Sequence, residues 1–180
     1  MHFIIASIIL MFAPNKIEYL IDFGSTEGNP NWVVVNDGVM GGLSQSKVIT
    51  LNNSIQFSGE ISLKNNGGFA SLRGDRNYED LSKYAFVIVK YRSSNQDFSL
   101  RLLEHDAYYL PYFKHNFSNT GWEWEEVKIP LSNFAQYRLN SQTGSYLKKS
   151  DLDKINRLGI IVSNKTEGQF KIEIDYIKFK

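Results

Sequence analysis

Cysteine is absent from this chain of 180 residues. That excludes disulfides, thiol nucleophiles, thiolate metal sites and a lipid-modified cysteine anchor. Histidine is scarce: His2, His105 and His115 are the three present. His105-Asp106 and His115 carry no further ligand pattern, so surface or partly packed histidines are the simpler account and no metal is expected. A serine triad needs a histidine base and inherits the same weakness. Neither sign of charge dominates, since 20 basic and 19 acidic side chains leave +1; this is poor material for a phosphate-binding face unless the charges segregate in space. No Gly-Lys-Ser/Thr triplet is present to cradle a nucleotide, and no cofactor is implied. Asp22, Asp37 and Asp175 stand near turns where a sandwich can hold a structural calcium, but no spacing supports them as ligands.

Long apolar runs are also missing, with one exception. Phe3 to Ala13 (FIIASIILMFA) has the length of a signal peptide and is too short to span a bilayer as a helix. No Lys or Arg precedes it, and Pro14 stands where a small-residue cleavage motif belongs. Residues 1–18 are therefore expected to be an apolar leader. Export to a periplasm-like space is the first expectation, and a cytoplasmic or membrane-peripheral location the second. Residues 19–180 are expected to form one domain, a length that buries a self-sufficient core.

What the chain does have is aromatic and β-forming. Hydrophobic residues make up 42%, and 12 Phe with 10 Tyr favour strands, where flat rings pack on a pleated surface. Ile55, Phe57, Gly59, Ile61 and Leu63 alternate with polar residues, a period of two. Ala85 to Tyr91 is nearly continuous apolar and predicts a central strand. Phe98, Leu100 and Leu102 alternate with Ser99, Arg101 and Leu103. Trp122 to Ile129 alternates as well. Phe170, Ile172, Ile174 and Tyr176 share one parity and Ile177 and Phe179 the other, which predicts a bulge near Tyr176. Ser150-Asp151-Leu152-Asp153 resembles a capped helix start, with Leu152, Ile155 and Leu158 on one face. Short strands at regular spacing with one short helix predict an all-β sandwich or jelly roll.

Two polar turns punctuate the first half: Asn36-Asp37-Gly38-Val39-Met40-Gly41-Gly42-Leu43-Ser44, and Asn65-Asn66-Gly67-Gly68-Phe69-Ala70-Ser71. Asp37-Gly38 reads as a hairpin signal and Gly41-Gly42 as a bulge. Three reversals separate four strands here, so the first and third turns should share one rim and the Asn52-Asn53 turn the other. Asn36, Asp37, Met40, Ser44, Asn65, Asn66, Phe69 and Arg73 are the candidate partner-binding surface of that rim. Amides and carboxylate would supply hydrogen bonds, Met40 and Phe69 apolar contact, and Arg73 a charge-assisted contact.

Trp122 and Trp124, two residues apart, either fill the core or stack on sugar rings, and core packing is the simpler account. Tyr108, Tyr109 and Tyr112 form a second aromatic cluster open to sugar stacking. Glu123, Glu125 and Asp75 would have to supply the carboxylate pair of a glycoside hydrolase, but their pattern is that of a solvated face.

Trp32 through Ser46 (WVVVNDGVMGGLSQS), Phe57 to Leu63 (FSGEISL) and Asn65 to Arg73 (NNGGFASLR), with Gly168-Gln169-Phe170, Ile174-Asp175 and Ile177 near the end, together resemble the family of complex I intermediate-associated protein 30. These are NADH:ubiquinone oxidoreductase assembly factors and their bacterial relatives. The resemblance implies a galactose-binding-like jelly roll and a non-enzymatic, chaperone-like assembly role on a protein partner belonging to a respiratory or other membrane complex. The Arg-rich amphipathic transit leader of mitochondrial members is absent from the first residues. A carbohydrate-binding module is the alternative expectation. Neither nucleic-acid binding nor a stable membrane span is expected.

Overall fold

A computed structural model of the chain describes residues 18–24, 31–77 and 79–180. The apolar leader and most of the Gly/Pro-containing loop before Asn31 lie outside these residues. So do the side chains of Val39 and Met40, and with them the expectation that Met40 supplies apolar contact.

Thirteen strands form two antiparallel sheets among the described residues. The first sheet runs β3 (Gln45–Thr50), β4 (Ile55–Ile61), β13 (Gly168–Phe179), β6 (Phe86–Ser94), β9 (Glu125–Pro130). β1 (Tyr19–Asp22) also pairs with β13, beyond the stretch that β4 occupies. The second sheet runs β11 (Ser141–Tyr146), β10 (Ala135–Arg138), β8 (Tyr112–Phe117), β7 (Phe98–Leu103), β12 (Arg157–Val162), β5 (Ala70–Arg73), β2 (Val33–Asn36). This is the expected β-sandwich of jelly-roll type.

Alternation explains why the sheets close on each other. Phe57, Ile172, Phe170 and Val89 from the first sheet meet Phe98, Leu100, Phe113 and Ile160 from the second, and all are buried. Aromatic rings knit the middle: Phe57 lies 4.9 Å from Phe170, and Tyr91 lies 4.7 Å edge-on to Phe117. Each such ring contributes roughly 1.5–3 kcal/mol by burial. The predicted bulge in β13 falls on Asp175, where pairing with β6 jumps from Ile174↔Tyr91 to Tyr176↔Lys90. The extra residue flips the parity, so Ile177 and Phe179 return to the core.

Three local expectations change. β2 and β3 belong to different sheets, so Asp37-Gly38 closes no hairpin; Asp37–Met40 is a 3-10 turn that carries the chain between layers, ended by Gly41 in the left-handed region at φ 89°. Likewise Lys64–Asn66 carries β4 across to β5 rather than back along one sheet. The short helix is the six-residue 3-10 segment Lys149–Lys154; Leu152 and Ile155 face the core, but Leu158 already belongs to β12. Asp151 accepts from the Lys148 backbone at 3.1 Å, and that contact sets where the turn starts.

Candidate functional site

The two polar turns lie together at one end of the sandwich, and Asp37 joins them. Its carboxylate accepts from the Ser44 backbone at 3.0 Å, the Ser44 hydroxyl at 2.5 Å, the Gly68 backbone at 2.7 Å and the Phe69 backbone at 3.3 Å. Asp37 is 1% exposed. Burial works against its ionisation, but the Ser44 hydroxyl and the three backbone N–H groups override that and hold its carboxyl below the ordinary range. Glycine is needed where the chain wraps this carboxylate. A Cβ on Gly42 would collide with the Asp37 side chain, and one on Gly67 would sit 2.7 Å from its Oδ2.

This geometry corrects the expectation that Asp37 and Ser44 form an open recognition edge. Both are buried, and Ser44 also accepts from the Ser62 backbone at 3.0 Å. Asn36 is half-buried and takes the Ser46 hydroxyl at 2.5 Å. Asn65 and Asn66 are exposed and left-handed, at φ 55° and 58°, where Asn is tolerated best after Gly. Beside these exposed asparagines stand the half-buried Phe69 and Arg73, which lead onto the outer face of the second sheet.

On that face the register builds a row of cations. Arg73 pairs with Gly159, Gly159 with Arg101, and Arg101 with Lys114, so three basic side chains and one glycine stand side by side across β5, β12, β7 and β8. Arg101 is 8% exposed. Its guanidinium lies 3.9 Å from the centre of the Tyr112 ring, and Tyr112 stacks in turn on Tyr137. Lys114 lies 4.3 Å over Tyr137. Asp106, at the margin, is taken by Arg76 at 2.7 Å and Arg157 at 2.8 Å. Among the described residues neither Arg73 nor Arg101 makes a hydrogen bond or ion pair, and the Nε of each is buried without a partner. Burial pushes the Arg101 guanidinium down to about 10, with Arg73 adding to the fall, so it is still charged at neutral pH.

A cavity of about 240 Å³ lies over Arg73 and Arg101 of this row. Arg73, Arg101 and Ile161 lie along its sheet face, while Phe69, Tyr108, Tyr112, Leu139 and Asn140 complete the lining. The structure thus brings together residues expected in two separate places, Phe69 and Arg73 from the rim and Tyr108 and Tyr112 from the aromatic cluster. Tyr108 is 63% exposed and Tyr112 buried; Tyr109 stands edge-on to Tyr108 with its rings at 86°. Arg101 was visible in the sequence only as an outward position of an alternating strand. Its solitude depends on Gly159 and Lys114, which register rather than local pattern places beside it.

The tryptophans go elsewhere. Core packing is overturned for both: Trp122 is half-buried, Trp124 is 40% exposed, and they stand on the outer side of the first sheet. They precede β9 rather than share a strand face, because Trp122 turns at φ 75°. Arg92 lies 4.6 Å from Trp122 and 4.9 Å from Trp124, and Lys171 lies 3.8 Å over Trp122. Arg92 also donates twice to Glu173, at 2.9 and 2.7 Å. Glu123, Glu125 and Asp75 are all exposed. Among the described residues no group of three or more His, Asp or Glu is placed to hold a metal ion.

A family profile described as Complex I intermediate-associated protein 30 matches residues 21–174. The chain belongs to this family. It is 27% identical over 180 aligned residues to the mitochondrial complex I intermediate-associated protein 30 of Mus musculus, covering 86% of this chain and 53% of the mouse protein. Identity to the Drosophila melanogaster protein of the same name is 22%, covering 94% of this chain and 64% of the fly protein. The chain therefore spans between half and two thirds of the length of these relatives. A solved structure of a family 11 carbohydrate-binding module from a Clostridium thermocellum cellulase superposes with a TM-score of 0.67 at 20% identity, covering 90% of this chain and 93% of the module. That likeness establishes the galactose-binding-like jelly roll. Among the described residues no helix is long and apolar enough to cross a membrane.

Proposed function

We propose that this chain is a non-catalytic binding domain for a protein partner, an assembly intermediate of a respiratory membrane complex of the complex I kind. The observation that carries the proposal is family membership over residues 21–174, matching relatives named for association with complex I intermediates. The outer face of the second sheet agrees with it. Phe69, Tyr108 and Leu139 line a cavity with two arginines that make no hydrogen bond or ion pair among the described residues, the mixture of aromatic and Arg anchors from which protein interfaces draw most of their energy. The domain would act at or beside the membrane that houses its partner.

The test is affinity capture from the native membrane fraction with wild type and a Tyr108→Ser/Leu139→Ser variant. Both side chains are more than half exposed, so the variant should fold normally. Respiratory-complex subunits retained by wild type and lost by the variant are expected. No specific protein on either would remove the reading. A sugar-binding alternative is favoured by one observation, the exposure of Tyr108, Tyr109 and Trp124, and a glycan array tests it directly.

A further inference from the structure

We infer that the cavity over Arg101 is a receptor for one acidic side chain, an aspartate or glutamate of the partner protein; this rests on the protein-binding reading above. A guanidinium that is 8% exposed, with its Nε buried and no hydrogen-bonding partner among the described residues, keeps a desolvation cost that a fold with nothing to bind has no reason to carry. The cost is relieved by a carboxylate, whose two oxygens match the planar guanidinium fork. Arg73 stands on the same row across Gly159 and supplies a second cation. Asp106 acts on Arg73 from beyond ion-pair distance but is already engaged by Arg76 and Arg157, and among the described residues no carboxylate pairs with Arg101.

Shape favours a protein source for that carboxylate. A cavity of about 240 Å³ has room for one acidic side chain. A polysaccharide needs a groove with successive ring platforms, but Tyr108 and Tyr109 stand at 86° and offer no common plane. Leu139 and Phe69 in the lining suit a flanking apolar residue and would shed water around the buried charge, as the rim of an interface hot spot does.

The test uses the full chain and two capped tripeptides, Leu-Glu-Leu and Leu-Gln-Leu, in NMR titrations that follow the Arg101 Nε–H signal, with glucuronate as a third probe. The glutamate peptide is expected to shift that signal and to bind at least about tenfold tighter than its glutamine counterpart. Arg101→Met should erase the difference. This variant should also melt at or above the wild-type temperature, because it removes an uncompensated buried charge and keeps the packing on Tyr112. A large fall in melting temperature would mark Arg101 as structural and sink the inference. Arg73→Gln serves as the second variant and should weaken glutamate binding while leaving glutamine binding unchanged. Equal binding of the two peptides overturns the proposal, and glucuronate binding tighter than the glutamate peptide replaces the protein side chain with an acidic sugar. The two readings fail separately. Membrane-fraction capture that is identical for wild type and Arg101→Met removes the receptor and leaves the assembly reading standing; failed capture by wild type does the reverse to the assembly reading, whatever the peptides show.

Discussion

Asp37 and Arg101 are both buried charges, 1% and 8% exposed, and they are opposites in everything but burial. Asp37 receives four hydrogen bonds from two turns. Arg101 receives the face of one ring. A charge taken out of water costs several kcal/mol unless its surroundings replace the lost hydration. Where they do, as at Asp37, the charge is an organising centre and its burial marks structure. Where they do not, as at Arg101, the charge stays uncompensated among the described residues, and the proposed receptor role accounts for it. The polar turns, prominent in the sequence, are therefore mostly internal joinery, while the proposed binding features lie on a sheet face that the sequence leaves inconspicuous.

The sharpest way to break this contrast is Asp37→Ala. Ser44, Gly68 and Phe69 would lose their shared acceptor at once, and a loss of about 3–5 kcal/mol is expected in guanidinium unfolding. The pH dependence follows from the depressed carboxyl. Its stabilisation is fully present above the unfolded value of about 3.9 and is lost as pH falls through the lower folded value. The gap between wild type and Asp37→Ala should therefore be constant from neutral pH down to about 4 and narrow below it. A gap unchanged down to strongly acid pH would show that the carboxylate charge is not what holds the turns.

Glu173→Gln comes next, because it makes a paired arginine resemble Arg101. Arg92 now donates to Glu173 twice, and Ser54 donates to the same carboxylate at 2.7 Å. Loss of the charge should cost about 2–3 kcal/mol, read as a lower denaturation midpoint. A negligible change would mean that Trp122 and Trp124, which flank Arg92, compensate a cation well enough by themselves. Tyr112 would then do the same for Arg101, and the contrast would dissolve.

Much of the fold was legible because alternation is a local property. Phe57, Phe98 and Phe170 declared their faces two residues at a time, and the β13 bulge showed itself as a parity switch. Sheet membership was not legible. Asp37-Gly38 and Asn66-Gly67 carry hairpin signals, but the chain changes layer at both, and only the carboxylate spanning 31 residues to Gly68 explains the path. The cavity was half legible: Phe69, Arg73, Tyr108 and Tyr112 were candidates on separate grounds, and nothing local said that they converge. The tryptophans misled because Trp-Glu-Trp alternates like a strand, whereas positive φ at Trp122 breaks the strand before it begins.

Asn66 separates the two roles of the rim on a smaller scale. Exposed and left-handed at φ 58°, it should lose about 1 kcal/mol on change to Ala and almost nothing on change to Gly. Thermal melts of both variants check this. Equal losses would assign Asn66 a side-chain contact rather than a backbone conformation.

The smallest stability effect belongs to the residue expected to matter most for binding. Tyr108 is 63% exposed and touches Tyr109 edge-on, so Tyr108→Ser should shift unfolding by no more than about 0.5 kcal/mol. If the cavity is where a partner docks, the same change removes a rigid aromatic anchor from its wall, and partner capture should fall sharply while the melt does not move. Asp37→Ala is expected to do the reverse per folded molecule, since partner capture by whatever fraction stays folded should be near normal. Both variants measured together thus place each residue on one of two axes, stability or binding. A Tyr108→Ser protein that melts early, or a folded Asp37→Ala protein that captures nothing, would put both residues on one axis and end the distinction between joinery and docking face.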